Sequence, residues 1–185
     1  MAKKMKQIAA AALAATIVFG FLYKIRAYGM LLSLAVTCGT IAYHLIMRLT
    51  VGFIFDTFMK NRANTRAGWY RVGEREAALY RRLGVQRWKR RMPSYDGALF
   101  DMKKHSPDEI AQAMCQAELV HETIIPLSIL PIAAGHFFGA YPVFIITSIF
   151  AAVADAAFVM LQRYNRPRVI SLMNRQAERD ARSKG

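Results

Sequence analysis

The sequence predicts an all-α integral membrane protein: four transmembrane helices arranged as two hairpins, with a basic cytoplasmic interfacial insert between them. Three observations predict it. Hydrophobic residues make up 55% of 185 residues and come in blocks. Those blocks approach the ~20 residues that a helix needs to cross ~30 Å of hydrocarbon. The charged residues between them are distributed with a strong bias in sign. At this length one domain is the default, so residues 1–185 are read as a single membrane domain.

The first span is read over 8–23, after the basic start MAKKMK. A secretory signal begins in the same way. Phe19-Gly20-Phe21-Leu22-Tyr23-Lys24 is a poor small-residue cleavage site, however, and another apolar block follows at once. The helix is therefore expected to be retained. The second span is read over 28–49, interrupted by His44 and Arg48. The third, 119–138, carries His121, Glu122 and His136 and is broken by Pro126 and Pro131. The fourth, 141–162, contains one acid, Asp155.

The formal net charge of +14 raises the possibility of nucleic acid, but its distribution argues for topology instead. Six Lys/Arg lie in residues 1–59, thirteen in 60–118 and seven in 163–184. Only Lys24 and Arg26 sit in the first interhelical loop, and the Gly135–Tyr141 loop has neither residue type. An excess of cations marks cytoplasmic segments. Both termini and the 60–118 insert are thus expected on the cytoplasmic side of the cell membrane, attracted to anionic headgroups. No nucleic-acid partner is needed.

Within the insert, Trp69, Val72, Leu79, Tyr80 and Leu83 recur at spacings of three, four and seven, with Arg71, Arg75, Arg81 and Arg82 between them. That pattern predicts a basic amphipathic helix ending at Gly84. Next comes Arg87-Trp88-Lys89-Arg90-Arg91, four cations and a tryptophan. Composition favours an interfacial anchor; the functional reading is a cradle for an anionic headgroup or a phosphate-bearing donor. Ser106-Pro107-Asp108-Glu109 is a helix start, with a capping serine, proline at the first position and acids in the first turn. The helix it opens should run on into the third span.

That helix carries Glu118, His121 and Glu122 at the edge of the apolar run, where 118 and 121, and 118 and 122, share a face. If the fourth span is regular, Asp155, Gln162 and Arg166 line one stripe; Pro167 disfavours helical geometry at Arg166, so the stripe should break there. A short connection makes spans three and four antiparallel. Their cytoplasmic ends should then bring the 118–122 cluster near Asp155 and the Gln162–Arg168 run.

The chemistry has competing readings. His121 beside carboxylates suits a general base, since its charge changes near neutral pH; it equally suits a structural histidine bonding across a bundle. Asp155 inside a span is a functional candidate or a buried packing pair, to Arg163 or His121. Glu-x-x-His is a di-iron ligand spacing, but a single copy is present, so no metal or other cofactor is expected. His44 and Asp56 are a weaker pair, and His136 reads as a loop residue. Ser128 and Ser148 lack a base in their own segments, and no nucleophile elbow, P-loop or dinucleotide glycine pattern occurs. Cys38 and Cys115 form no framework or zinc spacing.

Ala117-Glu118-Leu119-Val120-His121, Leu130-Pro131, and Gln162-Arg163-Tyr164-Asn165-Arg166-Pro167-Arg168, with Arg87-Trp88-Lys89 upstream, resemble the glycosyl-4,4'-diaponeurosporenoate acyltransferase family. The likeness covers about Glu76 to Leu172; QRYNRPR is its most distinctive part. It implies a small membrane enzyme that esterifies a fatty acyl group onto the sugar of a glycosylated carotenoid. The implied donor is an acyl-CoA or acyl carrier protein, and the partners are membrane lipids and a glycosylated lipid acceptor. Under that resemblance His121 deprotonates the acceptor and Glu118 orients it. Arg163, Arg166, Arg168 and the Arg87–Arg91 cluster hold donor phosphates, and Asn165 or Gln162 faces the oxyanion. Two positions depart from the family pattern: Glu122 stands where tryptophan is usual, and Asp155 where asparagine is. Both add acid, which keeps other readings open: another interfacial lipid enzyme, such as a reductase or methyltransferase, or a lipid-binding protein without chemistry.

Overall fold

In a computed structural model, the described residues, 2–88, 101 and 103–184, form helices and connecting turns only. α1 runs Ala2–Arg26 and α2 Gly29–Met59. A short 3-10 turn, Gly68–Tyr70, precedes α3 (Glu74–Arg82) and α4 (Val85–Trp88). α5 is Pro107–Leu127, α6 Pro131–Phe138 and α7 Tyr141–Lys184. Among the described residues, four segments are long and apolar enough to cross a membrane: Lys3–Arg26, Gly29–Met59, Pro107–Phe138 and Tyr141–Arg175. These spans mark a membrane protein. Their outward faces agree, for the large apolar side chains of Phe21, Phe53, Phe137 and Phe150 are all exposed. In lipid such a face costs nothing.

The chain divides into two units. The first is Met1–Ile54 with Glu122–Asp155. Its interior is made of small and medium residues, Ala35, Val36, Ala42, Met47, Ile124 and Ala151. Small residues let helix backbones approach closely, which is where membrane helices gain packing energy. Gly39 shows this: a Cβ there would sit 3.3 Å from the Thr16 methyl. Gly135 is tighter, because a Cβ would fall 2.6 Å from the Tyr141 ring. The Tyr43 hydroxyl donates to the Leu127 carbonyl at 2.8 Å, tying α2 to the end of α5. Pro126 lies in the last turn of α5 and Pro131 opens α6, so the two prolines bracket the break expected from the sequence.

The second unit is Phe55–His121 with Ala156–Gly185. Its start of α5 is a reciprocal capping box. The Ser106 hydroxyl accepts from the Glu109 N–H, and the Glu109 carboxylate accepts from the Ser106 N–H at 2.8 Å. Together they satisfy donors that a helix terminus otherwise leaves orphaned. One face of α5, including Ile110, Ala111, Met114 and Cys115, is buried. Gln116 Oε1 accepts the Asn61 N–H at 2.7 Å, which holds the turn after α2.

Two expectations are corrected. The amphipathic helix does not include Trp69 or Val72: a 3-10 turn and extended residues precede α3, which starts only after Gly73. Spacing alone could not separate a long helix from a short helix plus a turn. Nor does α7 break at Arg166; it continues through Pro167 to Lys184. Side chains on that turn are fixed from outside the helix, as described next, and that anchoring offsets the lost backbone hydrogen bond.

Candidate functional site

The second unit holds a buried network of charges. It starts with Glu118, on α5, fully excluded from solvent. One of its oxygens accepts from Arg163 Nη1 at 2.6 Å, and the other accepts from Arg166 Nη1. Arg163 and Arg166 are three apart on α7 and so share a face. Glu76, from α3, takes Arg163 in a bidentate grip, Nε to Oε1 at 2.5 Å and Nη2 to Oε2 at 3.1 Å. Two arginines thus meet two carboxylates, and the formal charges cancel.

Backbone carbonyls complete it. Arg163 Nη1 also donates to Trp69 O at 3.1 Å and Nη2 to Arg71 O at 3.0 Å. Arg166 Nη2 donates to Tyr70 O, and its guanidinium lies over the Tyr70 ring, 4.9 Å from the centroid. A guanidinium has five N–H donors, and for Arg163 five acceptors are present. A donor phosphate would have to displace one of them, so the sequence-based role for Arg163 is revised. Arg163 and Arg166 bind the 69–71 segment and α3 to α7. Burial of ions at this depth is tolerable only with such complete pairing.

The network has a titratable rim. The hydrogen bond from Arg163 holds the Glu76 carboxyl below the usual range, against the opposing effect of burial and with help from the Tyr80 hydroxyl. Tyr80 is pushed up, by burial first and then by donating to Glu76.

Around this centre the other expected residues fall in distinct places. His121, one turn beyond Glu118, is half-buried with its ring stacked on Phe158, centroids 4.6 Å apart and planes 7° from parallel. Gln162 is half-buried. The Asn165 amide donates to its own helix, at Leu161 O. Arg168 is exposed; its Nη2 donates to the Tyr164 hydroxyl at 2.6 Å, and its guanidinium covers the Tyr164 ring at 4.4 Å. Arg87 and Trp88 form the end of α4 and, with Arg168, line a cavity of about 1200 Å³. Lys89, with Arg90 and Arg91, lies outside the described residues.

Glu122 and Asp155 belong to the first unit. Asp155 is buried and pairs with Arg48 of α2. Arg48 Nη1 also donates to the His44 carbonyl at 3.1 Å.

The residues that build this site occupy one continuous stretch of sequence similarity. A family model for glycosyl-4,4'-diaponeurosporenoate acyltransferase matches residues 64–175, well over half the chain. The chain belongs to that family. The match begins before Trp69 and ends after Arg168, so every member of this chain's charge network lies inside the acyltransferase match. Comparison with curated proteins and with solved structures gives no match.

Several contributors had little or no signal in the sequence. Glu76 was visible only as an acid among arginines. The carbonyls of Trp69, Tyr70 and Arg71 carry no signal, because any residue supplies one. Arg48 looked like an interruption of an apolar run; its pairing with Asp155 spans 107 positions.

Proposed function

We propose that the chain is a membrane-embedded acyltransferase that moves a fatty acyl group from a thioester donor to a hydroxyl of a glycosylated lipid, such as a glycosyl carotenoid, at the cytoplasmic face of the cell membrane. The observation that carries this reading is the family match, within which His121 stands one helical turn from the buried Glu118–Arg163–Arg166 network. The cation-rich insert and both basic ends support the cytoplasmic assignment.

In this reading His121 is the general base. A ring nitrogen takes the proton of the acceptor hydroxyl as its oxygen attacks the thioester carbonyl. The carbon–sulfur bond breaks, and the thiolate leaves and collects that proton. The stack on Phe158 fixes the imidazole plane. Glu118 is a positioning residue: both oxygens are engaged by arginines, so it holds the turn of α5 that carries His121. Gln162 and Asn165 stand on the neighbouring stretch of α7 as donors for the developing oxyanion. The free face of Arg168, with Arg87 and Trp88, serves the donor. Glu122 and Asp155 remain candidate catalytic acids in this scheme.

The test is direct. Purified protein receives radiolabelled acyl-CoA or acyl carrier protein and a glycolipid extract, and a labelled ester is sought. Removing a positioned base costs on the order of 10²–10⁴ in rate. His121→Ala should lose that much ester formation while keeping its unfolding midpoint. No ester from either donor, or full activity in His121→Ala, overturns the reading.

A further inference from the structure

The cavity in the second unit is walled by cations that the buried network does not use. Arg81 and Arg82 close α3, Arg87 lies on α4 and Arg168 on α7. Gly84, at φ 66°, makes the left-handed turn that joins α3 to α4 and brings both ends of this segment to one cavity. All four arginines are exposed. Arg168 leans on a neutral phenol, Tyr164, so its charge is not cancelled there. Among the described residues, none that lines the cavity is acidic.

Charge alone would suit any phosphate, including a lipid headgroup. Two further features narrow the choice. The volume, about 1200 Å³, exceeds the ~300–1,000 Å³ of ordinary small-ligand pockets; a single phosphate leaves most of it empty. The walls also present aromatic surface, from Trp88, Tyr164 and Tyr80. Guanidiniums that grip phosphate beside rings that stack on a base are the chemistry of nucleotide recognition.

We propose that this cavity binds the phosphorylated nucleotide end of the acyl donor, so that the donor is a nucleotide thioester of the coenzyme A type and not a carrier protein. The proposal rests on the acyltransferase reading and adds a donor class to it. It also adds Arg81, Arg82, Tyr80 and Tyr164 to the residues that meet substrate. Tyr80 joins the cavity to the buried network, since its hydroxyl donates to Glu76, which grips Arg163.

The experiment titrates the full chain in detergent with adenosine 3',5'-bisphosphate, which carries no acyl group. Inorganic phosphate, adenosine and phosphatidylglycerol vesicles are run in parallel. One nucleotide should bind per chain, at least tenfold tighter than inorganic phosphate or adenosine, and binding should weaken with salt. The triple variant R81Q/R82Q/R87Q should weaken it tenfold or more, and Trp88→Ala measurably, with the unfolding midpoint unchanged. Equal affinity for phosphate and nucleotide, or a triple variant that binds normally, overturns the proposal. So does a triple variant that loses only vesicle binding, which would assign the cavity to lipid headgroups. Nucleotide binding without any ester formation keeps this site and removes the acyltransferase reading. Ester formation from carrier-bound thioester without nucleotide binding does the reverse.

Discussion

In the first unit Arg48 faces Asp155 across two helices; in the second, Arg163 and Arg166 share Glu118, Glu76 and the carbonyls of residues 69–71. The first pair is incompletely enclosed, because the Arg48 side chain is 21% exposed. In the second, the Glu118–Arg166 pair is closed: Arg166 is 1% exposed and Glu118 fully buried. The first also has orphaned neighbours. Neither ring nitrogen of His44, nor the hydroxyls of Ser128 and Ser148, has a hydrogen-bond partner among the described residues. In the second the ions are surrounded by acceptors and donors. The contrast teaches where stability depends on charge. An ion pair with no solvent to fall back on is expensive to break, whatever it contributed when intact.

The largest effect should therefore follow Glu118→Ala. It strands the Arg166 guanidinium in a closed site and loosens Arg163. Breaking a buried pair by removing one partner costs about 3–5 kcal/mol. The expected outcome is a large fall in the unfolding midpoint in detergent, followed by circular dichroism, and low yield. Glu118→Leu combined with Arg166→Met should recover much of it, since both ions leave together. A double variant as unstable as the single would show that the ion pair itself, and not its completeness, matters.

Asp155→Ala should cost less, about 1–3 kcal/mol, the range for a hydrogen bond to a charged group. Arg48 keeps its bond to the His44 carbonyl when its partner goes. Asp155→Asn keeps an acceptor for Arg48 and should cost less still. If Asp155→Ala lowers the unfolding midpoint more than Glu118→Ala, the comparison between the two units fails.

Much of this was legible in the sequence, and what was not has identifiable causes. The apolar blocks, the capping box at Ser106 and the glycine after α3 are local patterns, and each positioned an element. The Glu-x-x-His of the third span and the arginine run of the fourth were visible because i, i+3 spacing puts residues on one face. The structure does bring Glu118 to Arg163 and Arg166. What spacing cannot supply is the third element. Glu76 and the 69–71 carbonyls arrive from an insert whose turn at Gly73 was invisible, and they change how the arginines are read. They bind the fold together before they bind any substrate. The continuity of α7 through Pro167 was missed for the same reason: local preference was overridden by contacts from elsewhere in the chain.

Glu76 supplies a smaller, pH-dependent effect. Its carboxyl is held below the ordinary value chiefly by the hydrogen bond from Arg163. A depressed native pKa means that the ionised form is favoured by folding. The stabilisation is complete above the ordinary value, about 4.5, and is lost as pH falls through the native value. Unfolding midpoints measured from neutral to acid pH should fall below about pH 4.5. Glu76→Gln should flatten that part of the curve. An unchanged slope in the variant would place the acid sensitivity on another carboxylate.

The smallest effect sharpens the comparison from the other side. His44 is 7% exposed, with its ring edge-on to Tyr43, and both nitrogens lack hydrogen-bond partners among the described residues. A buried polar group without a partner costs about 1–3 kcal/mol. An apolar residue of similar bulk removes that cost and keeps most of the packing. His44→Leu should therefore leave the unfolding midpoint unchanged or raise it, within the equivalent of about 1 kcal/mol. The Arg48 bond to the residue 44 carbonyl does not depend on the side chain and should persist. A marked loss of stability in His44→Leu would mean that the imidazole is hydrogen-bonded in the membrane, and the first unit's polar centre would then be as complete as the second's.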